Sequence, residues 1–354
     1  MPLRRLRVRS FRCLSEVDVE LDPARNYFFG PNGAGKTSLL EAVFFLGRGR
    51  SFRTRQARTL IRHGDTELAV SAELEEGTGT RRVGAAFRDG RLERRLDGAP
   101  ASGSEIARIL PVEMIGPDSH RLIEGAPSER RRFLDWGVFH VEHSYLEAWQ
   151  RYRRLLGQRN AALVRTSDAA SELRVWTDAL AEAGEEVDRL RKAYVERLAP
   201  SVKAHAEALV GDAVIVEYRP GWRDGLTLLG ALDAATARDR SLGHTEPGPH
   251  RADLALRVDG RKVQDEASRG QQKLVAAALV LAQVELLSGG DSRRSVLLVD
   301  DPAAELDSAA FRRLLERLGS VQSQLLFTGL APLAHEIDQS ARMFHVERGH
   351  VRAV

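Results

Sequence analysis

Residues 30–37 read Gly30-Pro31-Asn32-Gly33-Ala34-Gly35-Lys36-Thr37, a match to G-x-x-x-x-G-K-[ST], and no other segment restricts the possible folds as tightly. Such a loop joins a β-strand to a helix. Its glycines let successive backbone N–H groups turn inward, and the helix that follows adds the partial positive charge of its N-terminus. Asn26 to Phe29 supply an apolar strand and the stretch to about Leu46 supplies a helix, so an α/β fold with a parallel sheet is expected. In this motif the loop amides cradle phosphates, Lys36 reaches the β- and γ-phosphates, and the Thr37 hydroxyl goes to Mg²⁺. ATP and Mg²⁺ are therefore the expected cofactors.

A second motif completes the first. Val296-Leu297-Leu298-Val299-Asp300-Asp301 is an apolar run ending in two carboxylates, the pattern of a buried strand that delivers acids to a phosphate site. Asp300 is expected to hold Mg²⁺ and Asp301 to polarise the attacking water, which makes Lys36 and Asp301 the expected catalytic pair. Ser268-Arg269-Gly270-Gln271 opens an apolar helix and resembles the ABC signature, whose serine hydroxyl and helix amides face the γ-phosphate of a nucleotide held by another protomer. A serine there also serves as a plain N-cap. Glu305-Leu306-Asp307 resembles the D-loop. P-loop, signature, Walker B strand and D-loop in this order identify an ABC-type ATPase. Its expected nucleotide contacts are Gly30, Pro31, Asn32, Gly33, Ala34, Gly35, Lys36, Thr37, Ser268, Gly270, Gln271 and Asp307. Glu113 lies near the usual place of the Q-loop glutamine and receives no role. Thr328, at a strand end, stands where transporter ATPases carry a switch histidine; it is either a γ-phosphate sensor or plain structure.

Arg5, Arg7 and Arg9 alternate with Leu6 and Val8, so the chain opens with a strand bearing a basic outer face. From Thr66 to Leu96 the hydrophobic period stays near two, with turns at Glu76-Gly77 and Asp89-Gly90, which predicts an antiparallel β lobe. Beyond Gly116-Pro117 the pattern becomes helical. Leu173, Trp176, Leu180, Ala183, Val187, Leu190 and Tyr194 form an a/d seam, predicting a helix from Ser171 to Ala199 that Pro200 stops, with Trp149, Tyr152, Leu156 and Leu163 on an antiparallel partner. The expected organisation is an ATPase head from 1–115 and 240–354, a mixed parallel sheet with an antiparallel lobe, and an inserted all-helical arm at 116–239.

Charge and cysteine usage narrow the partners. Among 53 basic residues only five are lysine, and the formal net charge is just +3, yet 42–64 holds six arginines without an acid and 1–15 holds five. Arginine clusters of this kind suit a phosphate backbone, so DNA is the expected partner, with Arg50, Arg53 and Arg55 as candidate contacts; a solvated face is the alternative. The single cysteine, Cys13, excludes an internal disulfide and is expected to be a small core residue. No apolar run approaches the length of a membrane span and no secretory h-region follows Met1, so a cytoplasmic location is expected.

The long helical insertion between P-loop and signature belongs to the SMC-like branch of ABC ATPases. Within it, Phe11-Arg12, Gly47-Arg48-Gly49-Arg50-Ser51-Phe52-Arg53, 131–137, 158–163, 248–254 and Ser268-Arg269-Gly270-Gln271 resemble segments of the RecF family of bacterial DNA-repair proteins over essentially the whole length. The signature departs from pattern at Ala267, where leucine is usual, and the D-loop is reached through Pro302-Ala303-Ala304. The resemblance implies an ATP-gated dimeric clamp with slow ATPase activity, associated with the nucleoid. It would bind single- and double-stranded DNA at gaps and junctions, and act with RecR and RecO to load RecA. The alternatives are the ATPase subunit of a transporter and a structural SMC-like chromosome protein.

Overall fold

The computed structural model describes residues 1–165, 169–288, 295–332 and 341–354. In chain order the first elements are β1 (Leu3–Phe11), β2 (Leu14–Glu20), β3 (Arg25–Phe29), α1 (Lys36–Arg48), β4 (Leu68–Glu76), β5 (Gly79–Arg88), β6 (Arg91–Leu96), β7 (Ala99–Pro100), α2 (Gly103–Ile109) and β8 (Val112–Ile115). There follow α3 (Arg121–Glu124), α4 (Pro127–Val141), α5 (Tyr145–Leu163), α6 (Ala169–Val210), β9 (Ile215–Arg219), α7 (Leu228–Leu242), β10 (Asp253–Val258), β11 (Arg261–Lys262) and α8 (Val263–Glu266). The last are α9 (Arg269–Ser288), β12 (Val296–Val299), α10 (Ser308–Ser320), β13 (Gln324–Gly329), β14 (Arg342–Glu347) and β15 (His350–Ala353).

Two compact units result: unit 1 is Met1–Ser119, Ala208–Val210 and Ala276–Val354, and unit 2 is His120–Glu207 and Gly211–Val275. Unit 1 has the mixed α/β architecture of an ABC-type head. One sheet runs β15-β14-β3-β13-β12-β8, in which β8, β12, β13, β3 and β14 are parallel. Its companion, β2-β1-β4-β5-β6-β7, is the antiparallel lobe. The Asp89-Gly90 turn joins β5 to β6 with both residues at positive φ, as a tight hairpin with right-handed twist requires. Between the sheets, α1 is buried along most of its length, its Leu39, Leu40, Val43 and Phe45 joining Leu6, Val8, Phe28, Val70 and Leu298 in one core.

The alternation in β1 is as expected, with Leu3, Leu6, Val8 and Phe11 buried. Its basic outer face is answered across the sheet. Arg5 and Arg7 donate to Asp18 on β2, Arg7 reaches Glu73 on β4, and Arg4 pairs with Glu75. Cross-strand acids thus neutralise most of the first arginine cluster. Cys13 is exposed, not a core residue, because it sits on the tight β1–β2 turn, where Arg12 has φ 55.

Unit 2 holds the long helix, with Leu180, Ala183, Val187, Leu190 and Tyr194 buried as the seam requires. Helix α5 runs antiparallel to it: Arg151 meets Glu182, Arg159 meets Thr177, and Leu163 packs with Leu173. Two features differ from expectation. Pro200 does not stop α6, which continues to Val210; Leu198, Val202 and Ala206 are buried on either side, and burying such side chains offsets the roughly 3 kcal/mol that an interior proline costs. Nor is the unit all helices. β10 pairs antiparallel with β9 in a three-stranded sheet, which carries residues 240–275 with unit 2 and returns the chain to unit 1 at Ala276.

Candidate active site

The sheet order of unit 1 assembles the site. β3 carries the P-loop and β12 the carboxylates, and both pair with β13 between them, so three strand ends meet at one edge. Gly30 has φ 153, and a Cβ there would lie 2.0 Å from the Val346 carbonyl oxygen, so the loop can leave β3 at this point only as glycine. Gly35, left-handed, starts α1 without a side-chain cap, which leaves the helix N-terminus open to an anion. Lys36 is a buried residue, and its ammonium donates to the carbonyls of Gly30 at 2.7 Å and Pro31 at 3.0 Å and is held over the loop. Burial lowers its pKa, while Asp301 and Asp300 act in the opposite sense.

Thr37 Oγ1 donates to Asp300 Oδ1 at 3.0 Å, joining the P-loop to the β12 carboxylate. Burial pushes the Asp300 pKa up, and bonds from Thr328 and Thr37 counter it. Asp301 has φ 40 and ψ 57, a left-handed backbone, and its Oδ1 is buried without a hydrogen-bond partner. Lys36, Thr37, Asp300 and Asp301 are thus brought together from two distant motifs.

The contacts that the structure records for the other expected residues are local ones. Ser268 Oγ accepts from the Gln271 backbone N–H at 3.3 Å and Gln271 Oε1 from the Ser268 N–H at 2.9 Å, a capping box at the start of α9. Asp307 caps α10, accepting from Ala309 and Ala310. Ser268, Gln271 and Asp307 are all exposed. Arg50, Arg53 and Arg55 are exposed as well, but Arg53 also reaches back toward the site: its guanidinium is 3.6 Å from Glu41 and its charge acts on Asp300.

Three supporting contacts were not foreseen from the sequence. Glu41, fully buried in α1, accepts a bidentate pair from Arg12 at 2.9 and 3.0 Å and a bond from Ser51 at 2.5 Å; Ser51 in turn accepts from the amides of Arg53 and Thr54. This hub orders the arginine-rich loop. Glu113 faces Arg48 at 2.9 Å, so the residue near the Q-loop position neutralises a buried guanidinium. Thr328 bonds both Asp300 and the Asp301 amide. Arg12, Ser51, Glu113 and Thr328 were marked by their place in the sequence but not by their contacts, and Glu41 gave no signal, because a buried glutamate on a helix looks like any polar face until its partners fold onto it.

The chain matches the family described as RecF/RecN/SMC N terminal domain over residues 2–352. It is 39% identical to the DNA replication and repair protein RecF of Edwardsiella ictaluri (strain 93-146), covering 99% of both chains. With that of Stutzerimonas stutzeri (strain A1501) it shares 40% identity over 99% of this chain and 97% of the relative. A solved structure of the recombination mediator protein RecF with ATP has the same fold at TM-score 0.87, with 24% identity over 100% of this chain and 97% of that one. An Smc head bound to the C-winged helix domain of ScpA superposes less closely, at TM-score 0.62 and 16% identity over 100% of this chain and 97% of that one. Identity near two-fifths along the full length of both chains, on this fold, places the chain in the RecF family of DNA replication and repair proteins.

Proposed function

We propose that the chain is an ATP-dependent switch that closes on DNA as a homodimer at gaps and single-strand/double-strand junctions and, with RecR and RecO, helps to load RecA. One observation carries the reading: Lys36, Thr37 and the carboxylates Asp300 and Asp301 converge at one sheet edge beside an uncapped helix N-terminus. A RecF solved with ATP supports that nucleotide. Oxygen donors are what Mg²⁺ prefers, and Thr37 Oγ1, Asp300 and the unpartnered Asp301 Oδ1 form such a set. Thr37 and Asp300 would hold the ion, which when bound offsets phosphate charge.

The chain's own groups do the rest. Loop amides and Lys36 orient the phosphates, and Asp301 takes the proton of the attacking water. Aspartate is shorter than the glutamate of many ABC ATPases, so turnover is slow. Ser268, Gly270 and Gln271 of one copy face the γ-phosphate held by the other, with Asp307 alongside. ATP favours the closed dimer and its hydrolysis releases it. Membership in a repair family argues against the transporter reading, and among the described residues no helix is long and apolar enough to cross a membrane.

The experiment is binding to gapped DNA with and without ATP, and with and without RecR. Tighter binding with ATP, increased again by RecR, is expected. Equal affinity for gapped and blunt duplex in every condition would overturn the proposal.

A further inference from the structure

We propose that Thr328 is the positioning residue for both Walker B carboxylates, holding Asp300 through its hydroxyl hydrogen and fixing the backbone of Asp301 through its oxygen. The inference rests on the ATPase reading above, in which Asp301 acts on water.

A threonine hydroxyl has one hydrogen and two acceptor positions. In this fully buried residue the hydrogen goes to Asp300 Oδ1 at 2.8 Å, and the oxygen accepts the Asp301 N–H at 3.0 Å. With its donor committed to Asp300, the hydroxyl cannot donate to a phosphate at the same time. That removes the γ-phosphate sensor suggested by its place at the strand end.

Asp301 requires such a restraint. It is a non-glycine residue in left-handed conformation directly before Pro302, and a residue preceding proline is biased toward extended backbone. Conformations of this kind persist where neighbours over-determine them. The bond from Thr328 is a neighbour of that kind, and the carboxylate it fixes is the one with a buried, unpartnered oxygen.

The same strand end also grips the P-loop. The Gly329 carbonyl accepts from the Gly30 N–H at 3.3 Å, and the Ala331 carbonyl accepts from Tyr27 Oη at 2.6 Å. Tyr27 comes so close that a Cβ on Gly329 would lie 2.1 Å from its hydroxyl. Strand β13 therefore clamps the phosphate loop on one side and the carboxylates on the other, with Thr328 as the contact to the acids.

The test compares Thr328→Val, which keeps the shape and deletes the hydroxyl, with Thr328→Ser, which keeps the hydroxyl. Two readouts are taken: amide hydrogen exchange of the peptide covering 300–304 without nucleotide, and single-turnover ATP hydrolysis beside ATP affinity. In the valine variant exchange should quicken about tenfold and hydrolysis fall about 10- to 100-fold, with ATP affinity within about threefold of the parent. Serine should restore both readouts to within about threefold of the parent. Parental exchange and hydrolysis in Thr328→Val, or a serine variant as impaired as valine, would overturn the assignment. If the valine protein does not fold, Thr328→Cys, with its weak donor, should show the same split in milder form, and parental behaviour there overturns the assignment equally. Asp301→Asn separates the two layers. Inactive Asp301→Asn beside fully active Thr328→Val defeats this inference alone, whereas active Asp301→Asn defeats the reading on which it rests.

Discussion

Unit 2 buries the Arg159 guanidinium and the Asp239 carboxylate completely and closes them on each other at 2.7 Å, whereas unit 1 buries most of Asp300 and Asp301 and leaves an acceptor of Asp301 open. Arg159 also donates to Thr245 at 2.7 Å and Thr177 at 3.1 Å; nearby Arg191 is held by Asp135 at 2.6 Å, by the Pro249 carbonyl and by the Trp149 ring. Both regions contain segments with family resemblance. In the Arg159–Asp239 network of unit 2 the polar groups satisfy one another and fix a fold, while at Asp300 and Asp301 of unit 1 they stop short of doing so and the remaining valence is available to a ligand. Resemblance alone does not separate these two networks; the pairing of their own buried polar groups does.

The sharpest break in this contrast is Lys36→Met. It should reduce ATP affinity by about 100-fold or more, read by equilibrium binding, because it deletes the cation over the loop while leaving the fold's apolar contacts in place. Arg159→Met should do the opposite, leaving nucleotide affinity unchanged but stranding Asp239, at a cost of about 3–5 kcal/mol in urea unfolding. Unchanged stability would mean that the unit 2 network is not a closed structural set.

His250 gives a pH-dependent version of the same comparison. It accepts from Tyr152 Oη at Nδ1, 2.7 Å away, and donates from Nε2 to the Thr245 carbonyl at 3.0 Å; burial lowers its pKa from 6.5 to about 4, and Arg251, Arg131 and Arg153 add to the shift. Below 6.5 the unfolded chain takes up this proton before the folded one. The contribution is therefore complete above about 6.5 and is lost as the pH falls toward 4, up to about 3 kcal/mol. His250→Gln should flatten that part of the acid-stability curve, measured by urea midpoints across the window; an unaltered curve would contradict the assignment.

How much could be read beforehand follows from the range of the contacts. The P-loop and the β12 carboxylates are local patterns, so 30–37, Asp300 and Asp301 were legible. The place of Thr328 was legible but its contact with Asp300 was not, because only the placing of β13 between β3 and β12 brings the two together. The stop at Pro200 failed because packing along α6 outweighs a local propensity. The sheet of unit 2 was missed because its strands β9 and β10, each short, are separated by α7. The basic face of β1 was legible, but Asp18, Glu73 and Glu75, which neutralise it, belong to other strands.

That last point yields the smallest effect. Replacing Arg50 and Arg55 with alanine should lower the slope of log affinity against log salt for DNA by roughly 0.9 for each phosphate that an arginine no longer neutralises. Replacing Arg5 and Arg7, already paired with cross-strand acids, should leave it unchanged. Arg53 calls for a separate measurement of ATP binding, since its charge acts on Asp300. Equal effects of the two pairs would erase the distinction between the arginines of the loop and those of β1.

In the proposed dimer one nucleotide is shared by two copies, Lys36 and Asp301 of one chain working with Ser268 of the other. Analytical ultracentrifugation with ATP tests it directly on Ser268→Arg and Asp301→Asn. Ser268→Arg should bind ATP yet sediment as a monomer, because only the contact in trans is blocked, while Asp301→Asn should bind ATP and remain a dimer for want of hydrolysis. A Ser268→Arg protein that dimerises with ATP and turns over at the parental rate would contradict the shared site.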